Sequence, residues 1–348
     1  MNEQFLELLL SQSSVAGDET DATDVFGAYL QNECTIQRDV MGNCYAILNP
    51  ESDKRLMIEA HIDEIGFQVT WIDENGFVYV RKNGGIDCAC VPGSQVIIKT
   101  RNGEQLPAVI GKSPIHVLKE DERKKVPELD DLWVDTGLSV ETVKEKVTIG
   151  DTVAYIGNFI KLGEHRISSK GLDDKIGVYI IAEVMKILSE KNLDIGVYGV
   201  ASVQEEVGCK GAVVGGYKIN PHIAFCLDVG ITSDVPNISK KKHGDSSLGK
   251  GIIITSHTDS NRQLSLLAED VARRNEISHQ LSANYSASGG TDTKPIQLSR
   301  DGVRTLLMSI PCRYLHTQVE MCDLRDVQAA IDLLVSLVCH IDTQKELF

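Results

Sequence analysis

Five short islands concentrate the acids and histidines of this chain. They are Ala60-His61-Ile62-Asp63-Glu64, Gly171-Leu172-Asp173-Asp174-Lys175, Gln204-Glu205-Glu206-Val207-Gly208, Leu227-Asp228-Val229-Gly230 and Leu315-His316-Thr317. Most follow an apolar run or adjoin a glycine, where a strand ends and side chains from distant segments can converge. Two imidazoles and several carboxylates, with no cysteine, make a borderline-to-hard donor set suited to Zn²⁺, Co²⁺ or Mn²⁺.

Taken singly, each island has a plain structural reading. His61 and Asp63 are two apart on or just after a strand, so they can lean to one side. A ligating imidazole needs its second nitrogen held, and Asp63 is placed for that role. Asp173-Asp174 precedes a helix and could serve only as an N-terminal cap, or Asp173 could bridge two cations. Glu205 and Glu206 are adjacent at a strand edge and cannot point the same way. One could bind metal while the other faces a substrate as general base. Asp228 is a lone charge after the apolar run Ile223–Leu227, a costly position unless it is ligated or strongly hydrogen-bonded. His316, alone, reads as structural. The joint pattern of five islands outweighs any one of them.

The islands need a frame to converge on. Residues 3–11 read as an amphipathic helix and 21–31 as a second helix, followed by strands at Cys34–Arg38, Asn43–Leu48 and Leu56–Ile62. From Gly66 to Gly163 the texture changes to short alternating runs separated by Asp73-Glu74-Asn75-Gly76 and Arg101-Asn102-Gly103, both hairpin signals. The charged stretch Lys119–Asp135 reads as a solvated excursion. Beyond Gly171, helix and strand alternate. A helical period spans Leu172–Lys191, strands span 195–203, 222–227, 251–254 and 304–310, and Asp323 caps a last helix to Asp342. The fold class is therefore α/β, with residues 1–65 and 164–348 as the body and 66–163 as a β-rich insertion. Candidate ligands would sit at the carboxyl ends of successive strands, where open α/β sheets form their sites.

With 348 residues and a net charge of −15, the chain is large enough for two domains and too acidic for nucleic acid to be its main partner. Its nine cysteines are scattered, with no Cys-x-x-Cys pair, which predicts reduced thiols and a cytoplasmic compartment. The N-terminus lacks the pattern of a secretory signal, and no apolar run approaches the ~20 residues of a membrane span.

Taken together the islands resemble the glutamyl/deblocking aminopeptidases, dinuclear-metal peptidases that build tetrahedral dodecamers. The resemblance covers nearly the whole length. It is carried by His61–Phe67, Gly84-Gly85 with Val91-Pro92-Gly93, Leu172–Asp174, Gln204–Gly208 with Gly211-Ala212, Asp228-Val229, Gly289–Asp292 and Ile310–His316. It implies a central mixed sheet flanked by helices, with a small β-barrel inserted for dimerisation or assembly. It implies two divalent ions per subunit, Zn²⁺ or Co²⁺ with Mn²⁺ also admitted. His61 and Asp228 would bind one, Glu206 and His316 the other, and Asp173 both. Glu205 would be the general base, with Asp63 orienting His61. A cis Asp173–Asp174 peptide and a substrate pocket lined by Gly290, Thr291 and Asp292 are implied too. Lys175 stands where the family commonly has arginine, and Ile86–Cys90 is unusual for its loop.

The expected activity is removal of N-terminal residues from short peptides by a homo-oligomer. Runner-up readings are an amidase or deacylase acting on non-peptide amides and, less well supported, a non-catalytic assembly protein. Arg313 and Lys294 could favour acidic first residues. Asp292 could favour basic ones or simply pair with Lys294.

Overall fold

Successive residues of the run Leu56–Ala60 face opposite cores, as a strand buried on both faces requires. Leu56, Ile58 and Ala60 join the larger apolar cluster, and Met57 joins a second cluster across the sheet. This strand is the middle of the molecule. The computed structural model describes residues 1–283, 290–344 and 347.

Three strands precede the insertion: β1 (Thr35–Arg38), β2 (Cys44–Leu48) and β3 (Arg55–His61). Six then close into a barrel: β4 (Gly66–Ile72), β5 (Val78–Asn83), β6 (Gln95–Lys99), β7 (Gln105–Gly111), β8 (Trp133–Asp135) and β9 (Thr152–Tyr155). Strict in–out alternation in β6 and β7 fills the barrel with Val96, Ile98, Leu106, Ala108 and Ile110. Both hairpin signals turn where expected, with Gly76 and Gly103 at positive φ.

The stretch Lys119–Asp135 is only partly an excursion. It is mostly exposed to Asp131, but Leu132 and Val134 are buried and Trp133–Asp135 is a barrel strand. The apolar triplet Leu132-Trp133-Val134 explains the difference. The last segment of the predicted insertion also pairs elsewhere. β10 (Ile160–Leu162) joins β11 (Arg166–Ser169) rather than the barrel.

The body resumes with β12 (Gly196–Ser202), β13 (Ile223–Ile231), β14 (Ile252–Thr255), β15 (His279–Ser282), β16 (Arg304–Cys312) and β17 (Glu320–Asp323). Its mixed sheet runs β1-β2-β12-β3-β13-β16-β14-β15, and β10-β11-β17 forms a small second sheet. β12, β3, β13 and β16 are mutually parallel, so their carboxyl ends share one edge.

Helices Glu3–Ser11, Thr20–Leu30, Leu172–Ser189, Arg262–Arg274 and Leu324–Asp342 cover one face. Lys210–Ile219 and Thr293–Gln297 cover the other. The last helix starts where expected, its Asp323 side chain accepting from the Arg325 amide. Its Leu333, Leu334, Leu337, Val338 and Ile341 are fully buried, worth roughly 1.5–3 kcal/mol each over exposure. Lys240–His243 forms one exposed helical turn. Among the described residues, no helix is long and apolar enough to cross a membrane.

Candidate metal centre

The shared carboxyl edge gathers the islands. β3 ends at His61, which pairs in register with Ser202, the last residue of β12. Asp63 follows one strand and Glu205-Glu206 the other. Asp228 lies inside β13 rather than past its end, because pairing with β16 continues to Ile231 and Cys312. His316 follows β16 through a turn in which Tyr314 and His316 both take positive φ. Asp173 and Asp174 sit at the start of helix Leu172–Ser189 with non-helical angles, joined by a cis peptide bond.

Two donor triads result, His61–Asp173–Asp228 and Asp173–Glu206–His316, each with its ligand atoms within 4.8 Å of one another. Asp173 belongs to both. Its Oδ1 lies 3.0 Å from His61 Nε2 and its Oδ2 3.2 Å from His316 Nε2. Glu206 Oε1 is 3.3 Å from His316 Nε2. Glu205 lies outside both triads and instead groups with Cys209 and Asp292.

Main-chain carbonyls settle which nitrogen each histidine offers. His61 Nδ1 donates to the Asp63 carbonyl at 3.1 Å, and His316 Nδ1 donates to the Gly85 carbonyl at 2.7 Å. Both Nε2 atoms therefore face the carboxylates, and once deprotonated they would be the nitrogens offered to a cation. The Asp63 carboxylate stands 3.6 Å from His61 Nδ1 and is engaged elsewhere. It accepts the Glu205 amide at 2.9 Å and the Glu206 amide at 3.1 Å, gripping the loop that carries both glutamates.

Glu320 performs a parallel task that sequence reasoning missed. Nearly fully buried, it accepts the His316 amide at 2.9 Å and the Asp173 amide at 3.0 Å. Its position four residues after His316 was the available signal. Gly85, two residues past the end of β5, joins the barrel directly to the site. A Cβ there would meet His316 Nδ1 at 3.0 Å and Cε1 at 3.1 Å. Gly85→Ala is expected to displace the imidazole and weaken metal affinity by ~10–100-fold, the range for lost outer partners, with the fold intact. Metal titration of the purified variant checks this. Unchanged affinity would mean that the loop yields and the carbonyl contact is dispensable.

The donor chemistry fits divalent cations. Burial pushes Asp228 up to about 8 and Glu205 up to about 9, with neighbouring carboxylates adding to both. Hydrogen bonds that His316 donates to the Asp173 and Glu206 carboxylates push it up to about 11. Burial opposes ionisation of Asp173, but the two imidazoles outweigh it and hold that carboxyl well below its usual range. Without cations, this cluster balances its charge by holding protons, and cations would replace them. The nearby lysines do not serve it. Lys170 and the fully buried Lys175 both clamp Glu64, at 2.7 and 3.0 Å, and both reach the Gln12 carbonyl.

A pH test follows. Asp228 and Glu205 have native values raised above their unfolded ones, so the native state holds the extra protons. Stability from them is complete below their unfolded values and is lost as pH rises through about 8 for Asp228 and about 9 for Glu205. Chelated protein should therefore melt at lower temperature as pH goes from ~5 to ~8, and metal-loaded protein should show a smaller fall, the part left to buried acids outside the cluster such as Glu19 and Asp326. Identical pH profiles for both forms would contradict the proton-for-metal exchange.

The pocket residues divide. Gly290 is exposed, Thr291 donates its hydroxyl to Thr293, and Asp292 is buried. Asp292 Oδ2 accepts the Ser202 hydroxyl at 2.9 Å, and Ser202 also bonds the fully buried Glu59 at 2.6 Å. Lys294 points to the surface, and Arg313 is tied to Asp234 by two guanidinium bonds. Gly289 lies outside the described residues. A cleft of about 560 Å³ lined by Asn220, His222, Asn261 and Arg304 opens at the opposite edge of the sheet, away from these donors.

The family model described as M42 glutamyl aminopeptidase matches residues 42–333. The chain belongs to the M42 family. This M42 peptidase is 35% identical over 307 residues to a lysyl aminopeptidase of Pyrococcus furiosus, covering 87% of this chain and 86% of that one. It superposes on the TET aminopeptidase of a marine-sediment Thaumarchaeota archaeon (SCGC AB-539-E09) with a TM-score of 0.92 at 28% identity, covering 98% and 97% of the two chains. The TET1 peptidase of Pyrococcus horikoshii, which assembles into a tetrahedron or a large octahedral shell, gives 0.87 at 31% identity, covering 97% and 98%. The M42 chain is accordingly a metal-dependent aminopeptidase, a hydrolase of peptide bonds.

Proposed function

We propose that this chain holds two divalent ions, Zn²⁺ or Co²⁺ with Mn²⁺ as an alternative, and uses Glu205 as the base that cleaves N-terminal residues from short peptides. The observation carrying this is the sharing of Asp173 between two donor triads while Glu205 stands beside both and belongs to neither. His61, Asp173 and Asp228 would hold one ion, and Asp173, Glu206 and His316 the other. Bound ions of this kind supply an acidified water and a Lewis acid for the scissile carbonyl.

The residues around them do the positioning and the proton transfer. Glu205 accepts a proton from the attacking water and returns it to the leaving amine. Asp63 fixes the backbone of Glu205 and Glu206, so base and ligand keep their separation. Gly85 and Asp63 carbonyls lock the two imidazoles, and Glu320 clamps the backbone of Asp173 and His316. Gly290, Thr291 and Asp292 line the space for the first side chain of the substrate.

Residues 1–65 with 164–348 form the catalytic body in this reading, and 66–163 an assembly domain. Near-full-length similarity to TET1 supports a homo-oligomer of tetrahedral, dodecameric type. Nine unpaired cysteines support a cytoplasmic setting. The test is a rate profile over aminoacyl-anilides differing only in the first residue, run beside N-acylated amino acids, with metal content measured on the same sample. Turnover confined to the N-acylated compounds would favour a deacylase instead.

A further inference from the structure

The segment Glu205–Cys209 is a closed turn. The amides of Gly208 and Cys209 both return to the Glu205 carbonyl, at 2.8 and 2.9 Å. Cys209 takes a positive φ of 53° before helix Lys210–Ile219. This fixes two side chains four residues apart on one side, and Cys209 Sγ donates to Glu205 Oε1 at 3.4 Å. Asp292 approaches from another element, at the start of helix Thr293–Gln297.

The three donor atoms lie within 4.8 Å of one another. Asp292 is 3% exposed, and while Ser202 holds its Oδ2, its Oδ1 has no hydrogen-bond partner. An orphaned buried carboxylate oxygen is costly unless something satisfies it. Zinc–sulfur and zinc–oxygen bonds of ~2.3 and ~2.1 Å at a tetrahedral angle place their donors ~3.6 Å apart, close to the observed sulfur–oxygen separation.

We propose that Glu205, Cys209 and Asp292 form a third cation site, for a thiophilic divalent ion such as Zn²⁺ or Cd²⁺ in excess, and that filling it inhibits the enzyme by occupying the base. The thiol releases its proton to solvent as the sulfur–metal bond forms. Both carboxylates bind ionised, and the ion keeps a solvent ligand. The two catalytic triads contain no sulfur, so a soft ion distinguishes this site from them. The inhibition, though not the binding, rests on Glu205 being the base.

The experiment adds Cd²⁺ to metal-loaded protein and follows two signals, the ultraviolet charge-transfer absorption of a cadmium–thiolate bond and the peptidase rate. Mn²⁺, which prefers oxygen donors, is the control. The expected result is a saturable absorption band and loss of rate with Cd²⁺, neither appearing with Mn²⁺. Cys209→Ser should lose the band and raise the Cd²⁺ inhibition constant at least the ~10-fold that losing even an outer partner costs. Each variant is compared with its own uninhibited rate. Asp292→Asn should weaken the band with the thiol still present. An unchanged band in Cys209→Ser, or none in the parent protein, overturns the site. A band that saturates without loss of rate overturns the inhibition and counts against Glu205 as the base.

Discussion

Glu205→Gln is expected to lower kcat by about 10²–10⁴-fold, the usual contribution of a positioned general base, with metal content unchanged. Glutamine keeps the shape and can still accept from Cys209, but its amide cannot take up a proton. The loop should stay in place, because its grip comes from the Asp63 carboxylate on the backbone amides of residues 205 and 206. The ions should stay because neither donor triad includes Glu205. Steady-state rates with metal analysis on the same preparation check both halves. A variant with parental turnover removes Glu205 from the base role, and one stripped of metal makes it a ligand.

Asp173→Asn should have the opposite signature, a loss of metal first and of activity as a consequence. Asp173 is the only residue common to both triads, with its two oxygens on the two histidines. An amide retains one oxygen and turns an N–H group toward the other imidazole, so it cannot serve two cations. Affinity is expected to fall by more than the ~100-fold upper range for outer partners, with catalysis near background at ordinary metal concentrations. Circular dichroism should report an intact fold, since the Asp173 amide remains held by Glu320. Two tightly bound ions in the variant would reduce Asp173 to a hydrogen-bonding role.

The two replacements test a base against a bridge, roles that the resemblance implies and that residue type alone does not separate. Glu205 and Glu206 are neighbours of identical type. One enters a donor triad and the other turns toward Cys209 and Asp292, because Asp63 holds the backbone between them. Similarly, the acid two residues after His61 reads as its orienting partner, yet the carbonyl of Asp63 touches the imidazole while its carboxylate grips another strand's loop. Glu320 was missed because its carboxylate grips the backbone amides of Asp173 and His316, and the role of Gly85 was missed because it acts through its carbonyl; both contacts use backbone groups that every residue has.

Much of the frame was legible in the chain itself. The period-two and helical patterns placed β3, β12, β13, β16 and the long helices, because burial on one or both faces leaves a repeat in residue type. The hairpins announced themselves through Asn-Gly. Strand limits were less legible. β13 runs past Asp228 because of its partner β16, and Trp133–Asp135 joins the barrel because three apolar residues follow a charged run.

The sequence by itself determined the donor inventory, the α/β alternation and the interruption by a β-rich segment, since residue type and spacing are local properties. The tertiary structure added that Asp173 is common to two donor triads while Glu205 is in neither. It also brought a barrel carbonyl to lock His316 and set a thiol beside Glu205. Those are consequences of distance and direction between strands far apart in the chain, and no local pattern encodes them.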